Sequence, residues 1–515
     1  VYSYHDRTKH HFRRYARSLG YLDWATQPEP FRRFEGCAVE PLAVPGAGGP
    51  TWDELFSEPG APTPVDRVSI GRFFYLSLAL SAWKQVVDRS GEVVSRWALR
   101  VNPSSGNLHP TEAYLAGPDG LFHYRPDVHG LERRADLAGI DDLLPDGALI
   151  AGLTSIHWRE AWKYGERAFR YCQHDAGHAI AALALAARSL GWSLRVLPEV
   201  STPEIEGFLG CSGQSGPEKE HGDALMVVGP GPLEVAGSLP VAENITGEPN
   251  TLSPTHQAWP VIPEVAAAAT WRDGKSNISG RPPILPLADR GRVAFDLIRQ
   301  RRSAVSMDGE TGLTADAFFD LLGRTMPAAG HPVFDAWPWA PEVSLALFVH
   351  RVEGLEPGLY ALVRDPGHLE SLRASTQPKF AWEEPDSCPE GLPLYLLGRG
   401  DVRRAAAQLS CGQDIAGDGA FSLGMLARFD AALAQHGPGF YPRLFWETGL
   451  IGQMLYLEAE AAGLRGTGLG CSVDDEVHGA LGIADPAWQS LYHFPVGGPV
   501  EDGRVQPEDP YPTSS

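Results

Sequence analysis

Cysteine is scarce in this chain, and no two cysteines stand close together. The six, Cys37, Cys172, Cys211, Cys388, Cys411 and Cys471, show neither CxxC nor CxH spacing. That pattern indicates neither a zinc site nor a disulfide framework, so no metal is expected and a reducing, cytoplasmic setting is predicted. Long apolar runs are also missing: none approaches the ~20 residues a helix needs to cross a bilayer, and the opening Tyr2-Ser3-Tyr4-His5-Asp6-Arg7-Thr8-Lys9-His10-His11 is polar where a signal peptide would be apolar. No run of Lys or Arg offsets the net charge of −21, which repels nucleic acid phosphates and anionic membrane surfaces. Neither nucleic acid nor membrane is expected as a partner. A GxGxxG turn after a strand is absent as well, so a Rossmann dinucleotide domain is not indicated.

What the chain does have is length and apolar mass. Its 515 residues, 43% hydrophobic and 21% charged, describe a globular protein of at least two domains. Residues 1–50 mix aromatic and basic side chains and end in the flexible Pro45-Gly46-Ala47-Gly48-Gly49-Pro50, an arm leading into a first domain over 51–211. Apolar density predicts a buried helix over 68–87, strands over 112–115 and 120–124, and a long helix over 175–190 stopped by Gly191. Ser, Gly, Pro and Thr are frequent over 212–290, which reads as a linker. The order then repeats in a second domain over 291–515, with a helix over 313–322, strands at 343–349 and 358–360, and a long helix over 447–462 stopped by Gly463.

The repeat holds register without a gap. When 169–210 is set against 441–482, Asp175 meets Glu447, Gly177 meets Gly449, Leu183 meets Leu455, Gly191 meets Gly463, and Leu209-Gly210 meets Leu481-Gly482. Helical periodicity would align leucines in any two amphipathic helices, but not these glycines and acids. The expected fold is therefore α+β: two copies of one unit, each a mixed or antiparallel sheet flanked by helices, packed as an intramolecular pseudo-dimer.

Four stretches carry candidate chemistry. From Arg100 to Asn107, hydroxyl, amide and backbone N–H donors crowd a turn pinned by Pro103; such a loop can hold a planar polar ligand, or can use its side chains on its own backbone. At Arg299-Gln300-Arg301-Arg302-Ser303, planar guanidinium forks and a hydroxyl suit a monophosphate, while a plain helix end would place its basic residues the same way. The turn Gly466-Thr467-Gly468-Leu469-Gly470-Cys471 strips away side chains where bare backbone could meet a ligand, or simply leads from a helix cap into a strand. Ahead of the first long helix, Trp162-Lys163-Tyr164 sets an amine beside a phenol. Partial burial and neighbouring cations would lower the amine's pKa and make a proton-transfer pair; the plainer reading is a surface lysine and a packed tyrosine.

Arg301-Arg302-Ser303, the loop Pro103–Asn107 and the turn Gly468–Cys471 resemble the three FMN-contacting segments of the nitroreductase superfamily. More narrowly, Tyr4-His5 with Thr8-Lys9-His10, Leu22-Asp23-Trp24, Arg100 through Asn107, Trp162-Lys163-Tyr164, Arg170-Tyr171 and Asp175-Ala176-Gly177-His178 resemble SagB-type dehydrogenases. These are relatives of the flavin oxidases that aromatise azolines in thiazole- and oxazole-modified peptides. The resemblance covers most of both halves except the linker. It implies an FMN-dependent oxidoreductase in which Arg301, Arg302 and Ser303 hold the phosphate and Gly468, Leu469, Gly470 and Cys471 border the isoalloxazine edge. Arg100, Pro103, Ser104, Ser105 and Asn107 would come to the same flavin from the other half. Lys163 and Tyr164 take the catalytic role, managing the proton as hydride passes.

The resemblance also implies that the reciprocal set is broken. Matching 68–76 with 313–321 puts Phe56, Ser57 and Glu58 where the clamp belongs, and a glutamate there would repel phosphate. Pro327-Ala328-Ala329-Gly330-His331 lacks both hydroxyls of the other loop. One FMN per chain is expected, with a small-molecule or peptide substrate and NAD(P)H as a candidate co-substrate that stacks on the flavin. Ser472-Val473-Asp474-Asp475 stands where the family often has Phe-Phe before Asp-Asp, implying a more open or more polar pocket. The alternatives are an NAD(P)H-dependent nitro- or quinone reductase, and a non-catalytic flavin- or peptide-binding scaffold. The pseudo-dimer would be complete in one chain, with further oligomerisation left open.

Overall fold

The computed structural model describes residues 1–511 except 89, 232, 273, 279 and 504, with only the backbone of 506. Two sheets share one order of strands. The first runs Val39–Pro41, Gly130–Ala135, Gly120–Arg125, Thr111–Gly117, Leu149–Ser155, His221–Gly229, Ser193–Val196. The second runs Leu394–Arg399, Gly358–Leu362, Val343–Val349, Phe421–Ala427, Gln489–Gly497, Arg465–Gly466. Apart from the edge strand Val39–Pro41, each position in the first sheet is filled in the second by the strand of the same rank along the chain. Every pairing in both sheets is antiparallel.

The central strands are buried on both faces, so they read as apolar runs rather than clean alternations. Their side chains nevertheless divide by pleat. Ala113 and Leu115 face the large shared core while Tyr114 and Ala116 face a smaller outer one. Leu345 and Leu347 face the shared core while Ala346 and Phe348 face another outer cluster.

Two helices, Ala168–Ser189 and Tyr441–Ala461, are buried along almost their whole length and pack on each other. They cross where neither has a side chain. A Cβ on Gly177 would lie 2.2 Å from the Trp446 carbonyl oxygen, and one on Gly449 would lie 2.4 Å from that of His174. His174 and Trp446 are themselves matched in the sequence register, so the contact is reciprocal, as between surfaces related by a two-fold axis. Gly191 (φ +70°) and Gly463 (φ +74°) follow the two helices in the left-handed conformation that favours glycine there.

Several elements differ from expectation. The long helices begin at Ala168 and Tyr441, ahead of the expected 175 and 447, because buried polar residues such as Arg170, Gln173 and Arg443 hide the apolar period. The stretch 68–87 is not one helix: Arg67–Tyr75 is helical behind an Asp66–Ser69 capping box, and Leu80–Val87 is a strand. A short apolar run fits either state by periodicity, and here pairing decides, with Val93–Arg100 on one side and Val505–Glu508 on the other. Within 212–290, His221–Gly229 is a strand of the first sheet, and Glu248–Pro249 pairs with Phe34–Glu35 of the arm. Finally, Cys411 and Cys471 form a disulfide across a Cα separation of 6.0 Å. They are far apart in sequence, so spacing could not reveal the pair, and the cysteine argument for a reducing compartment falls with it. Among the described residues, no helix is long and apolar enough to cross a membrane.

Candidate functional site

A cavity of about 1030 Å³ lies where the two halves meet. The first half lines it with Lys84, the strand end and loop from Trp97 to His109, and Asp175 and His178 of the long helix. The second half contributes 300–306, Tyr456, Arg465, Thr467, Gly468, Tyr492 and, from the returning segment, Pro499, Val500, Glu501, Asp502, Val505 and Pro507.

The loop is sharply folded: Gly106 (φ 61°), Asn107 (φ 58°) and His109 (φ 51°) are all left-handed, a conformation costing a non-glycine residue roughly 1–2 kcal/mol. Local hydrogen bonds hold it. Asn107 Nδ2 donates to the Ala98 carbonyl at 2.9 Å, and the His109 backbone N–H donates to Ser104 Oγ at 2.8 Å. The side chains of Ser104 and Asn107 thus serve the loop's own architecture. The Ser105 N–H and hydroxyl donate to Asp175 Oδ1 at 3.1 and 3.3 Å. With its Nε2–H given to Asn107 Oδ1 (2.8 Å), His109 leaves Nδ1 as a buried acceptor with no partner, and Asn102 Oδ1 is unpartnered as well. Burial, then Arg100 and Arg159, keeps this imidazole neutral.

Opposite the loop, the second half delivers a corner rich in cations. Arg301 Nε donates to the Val101 carbonyl and Nη2 to that of Arg100, both at 3.0 Å, which ties the helix end to the other half. Its Nη1 is buried and has no partner. Arg302 is engaged by Ser81 Oγ (3.3 Å) and by the Arg299 and Arg301 carbonyls (3.0 and 2.7 Å). Burial, with Arg301 and Arg299 alongside, holds Arg302 down at about 10. Burial and Arg302 also lower Lys84, and burial holds Arg100 at about 10. Among the carboxylates here, Glu460 accepts from the Arg302 N–H and Gln300, and Glu501 pairs with Arg465. Buried cations that repel one another, as Arg302 does with Arg301 and Arg299, favour a bound anion beside them. Tyr456 closes this side: its hydroxyl lies 2.9 Å from Ser303 Oγ and accepts the Gly468 N–H at 2.9 Å.

Lys163 and Tyr164 end the helix His157–Tyr164 and press against the loop. A Cβ on Gly106 would lie 2.6 Å from the Tyr164 hydroxyl and 3.2 Å from Lys163 Nζ. Burial, then Glu160, raises Tyr164 well above the ordinary phenol value, so it is a neutral donor.

Of the glycine turn, Gly468 reaches the cavity, whereas Leu469, Gly470 and Cys471 are not among its lining residues. These glycines answer to packing within the protein: a Cβ on Gly468 would collide with the Tyr492 hydroxyl at 1.8 Å, and one on Gly470 with the Tyr171 ring at 1.9 Å. Leu469 bridges to His493, and Cys471 is in the disulfide. Nor does Ser472-Val473-Asp474-Asp475 make the pocket polar. Asp474 accepts from Arg167 (2.9 Å), Arg170 (2.8 Å) and the His10 N–H (2.9 Å), and Asp475 binds Lys9 at 2.7 Å, so these acids anchor the N-terminal arm.

The structure therefore brings Arg100, Pro103, Ser104, Ser105, Asn107, Arg301, Arg302, Ser303 and Gly468 to one cavity. Sequence reasoning did not single out Lys84, His109, Tyr456 or Tyr492. Lys84 lies in a segment read as helix, and the tyrosines are single residues of apolar elements. His178 was marked only by resemblance; its Nε2 lies 3.1 Å from the Tyr492 hydroxyl and its Nδ1 3.1 Å from Gln453 Oε1.

On the other flank of the helix pair the counterpart residues fill the space. Phe56 packs edge-on to His331 at 4.9 Å with Arg324 3.9 Å over its ring. Arg188 donates to the carbonyls of Ser57 (3.0 Å) and Gly330 (3.2 Å). Glu58 is exposed, so steric filling, rather than the expected repulsion by a glutamate, closes this side.

Comparison with known proteins agrees with this picture. Residues 372–498 match the model of the Nitroreductase family. A provisionally named nitroreductase of Methanocaldococcus jannaschii is 25% identical over 142 residues, 25% of this chain and 72% of that protein. The crystal structure of a provisionally named nitroreductase from Anabaena variabilis aligns over 97% of this chain and 99% of its own, with a TM-score of 0.69 and 21% identity. The NADPH:FMN oxidoreductase from Vibrio harveyi, in complex with NAD+, aligns over 21% of this chain and 49% of its own, with a TM-score of 0.17 and 20% identity. The family match falls within the second half of the chain, and the structural likeness shows a nitroreductase-like α+β fold.

Proposed function

We propose that the chain is an FMN-dependent oxidoreductase of the SagB type, built from two tandem nitroreductase-like units that share one flavin per chain. One observation carries the reading: Arg301, from the second half, binds the backbone of the first half's loop and keeps one buried N–H unpaired inside a cation-rich cavity. A group with a phosphate and a planar polar ring fits this lining. Arg301 Nη1, Arg302 and Ser303 would take the phosphate, and the Pro103–Asn107 loop with Gly468 would border the ring. At about 1030 Å³ the cavity lies just above the roughly 300–1,000 Å³ range of small-ligand pockets, leaving room for a small-molecule or peptide substrate beside the cofactor.

When bound, FMN supplies hydride transfer. The chain's own residues supply position and protons. Arg301 and the loop hold the cavity in one shape, while Lys163 and Tyr164, against Gly106, manage the proton.

Titrating purified apoprotein with FMN should saturate at one per chain; saturation at two overturns the reading. Lys163→Ala and Tyr164→Phe should keep FMN yet lower turnover by about 100- to 10,000-fold, the usual contribution of acid–base groups. Anaerobic mixing with NAD(P)H distinguishes direction: rapid bleaching of the flavin would favour a nitro- or quinone reductase instead.

A further inference from the structure

We propose that Glu160 and Asp175 form a proton-holding site on the cavity, with Asp175 exchanging the proton with bound substrate and Glu160 acting as its buried reserve. The substrate role rests on the oxidoreductase reading above. The pair itself rests on geometry.

The two carboxyl groups come from different helices, His157–Tyr164 and Ala168–Ser189, and meet beneath the Ser104-Ser105 turn. Both are buried, at 0% and 2% exposure, yet Asp175 lines the cavity. Asp175 Oδ1 accepts the Ser105 N–H and hydroxyl at 3.1 and 3.3 Å, and Glu160 Oε1 accepts Ser104 Oγ at 3.4 Å. Glu160 Oε2 has no donor at all. An ionised carboxylate would leave that oxygen bare in the protein interior, whereas a protonated one can donate to Asp175.

The surrounding charges agree. Two touching carboxylates out of water do not both ionise. The charge of Lys163 acts on Glu160 to lower it; Tyr164, Cys172 and Tyr492 face the pair as neutral groups, each held protonated chiefly by burial. One cation against two carboxyls leaves one proton on the pair. Burial, then the charge of Asp175, raises Glu160 well above the carboxylate range, and burial pushes Asp175 up to about 7 against the hydrogen bonds from Ser104 and Ser105. A carboxyl titrating near neutrality is placed to give or take a proton at working pH. On the opposite flank Glu447, matched to Asp175 in sequence, differs in its partners: it pairs with Arg364 and accepts the N–H groups of Glu342 and Val343, although burial still raises it.

The step assigned to the pair is proton transfer alone. A substrate X–H bond breaks, its proton adds to an Asp175 oxygen, and the bonding electrons stay on the substrate. Two-electron oxidation of that substrate requires a hydride acceptor, which is the role of the bound flavin.

Infrared pH titration of the purified chain tests the proposal without turnover. A protonated carboxyl component from Asp175 should persist above the ordinary carboxylate range and bleach around pH 7, while that of Glu160 persists beyond it. Labelling aspartate with 13C in the unmodified protein should perturb the component that bleaches, and Glu160→Gln or Asp175→Asn should abolish or move it. A band absent above pH 5, or unchanged by the label and by both variants, overturns the proposal. The outcomes separate cleanly: loss of FMN binding with the band intact would sink the oxidoreductase reading and leave the proton site standing.

Discussion

The two flanks of the central helix pair use matched positions to opposite ends. On one flank, Asp175 meets a second carboxyl, the loop of serines bends back on itself, and Arg301 keeps an N–H unpaired beside open space. On the other, the matched Glu447 pairs with Arg364, an aromatic ring occupies the clamp position, and Arg188 joins the two segments that would have formed opposing walls. The difference teaches that matched positions on two flanks of one helix pair can line a cavity on one side and pack into the interior on the other. Unpartnered polar atoms such as Arg301 Nη1 and Asn102 Oδ1 line the open flank, but others lie elsewhere in the interior, Arg364 Nη2 on the closed flank among them, so the open cavity and not the bare atoms alone sets the two apart.

The sharpest test of this comparison is the axis that both flanks share. Gly177→Val and Gly449→Val each insert atoms where a Cβ would already stand 2.2 or 2.4 Å from a carbonyl oxygen, so the helices must part. We expect either substitution to cost more than about 4 kcal/mol, beyond what most single changes do. The two should be alike in effect, since the contact is reciprocal. Thermal unfolding of both variants checks this, and a large effect at one glycine with none at the other would break the symmetry.

That contact was legible in the sequence because matched glycines and helix stops recur as identities and the acid at 175 recurs as an acid at 447. Other features were not. Leu80–Val87 looked helical because its fate depends on pairing with residues from the far end of the chain, which no local pattern reports. His221–Gly229 was hidden in a stretch dominated by turn residues. Within the site, Arg301, Arg302 and the serine loop stood out as clustered polar types, whereas Lys84, Tyr456 and Tyr492 are single side chains that only the tertiary structure assembles. Gly470 shows the converse error: a glycine that suggested ligand approach is there to admit Tyr171.

The next test asks whether the closed flank is closed by volume. Phe56→Ala removes a ring held between His331 and Arg324 and should cost about 3 kcal/mol, the lower end for a buried aromatic. Flavin stoichiometry should stay at one per chain, because the space opened has neither the serine loop nor the arginine clamp. A second equivalent of FMN bound by this variant would show that filling alone separates the flanks.

On the open flank, Arg301→Ala removes the unpaired N–H and two hydrogen bonds to the loop backbone. A charge-assisted hydrogen bond contributes about 1.5–3 kcal/mol, so FMN affinity should fall by roughly 10- to 150-fold. Arg301→Lys should recover only part of it, since an ammonium cannot reproduce the fork. Fluorescence titration of apoprotein measures both. Unchanged affinity in Arg301→Ala would move the phosphate elsewhere and remove the contrast between the flanks.

The smallest effect is expected at Arg188. Its guanidinium is partly buried and donates to two backbone carbonyls, Ser57 O and Gly330 O, one from each segment that the open flank keeps apart. Hydrogen bonds from a charged donor to carbonyls at a partly wetted edge contribute little once water can replace the donor, so Arg188→Ala should lower stability by about 1–2 kcal/mol. Water can reach these carbonyls when the side chain is gone, which keeps the cost below that of leaving an interior acceptor bare. Flavin binding should not change, because the long helix separates Arg188 from the cavity. Denaturant unfolding gives the first quantity and the same fluorescence titration the second. A variant that folds as before but binds FMN more weakly would show that the latch on the closed flank reaches across the helix pair to shape the open one.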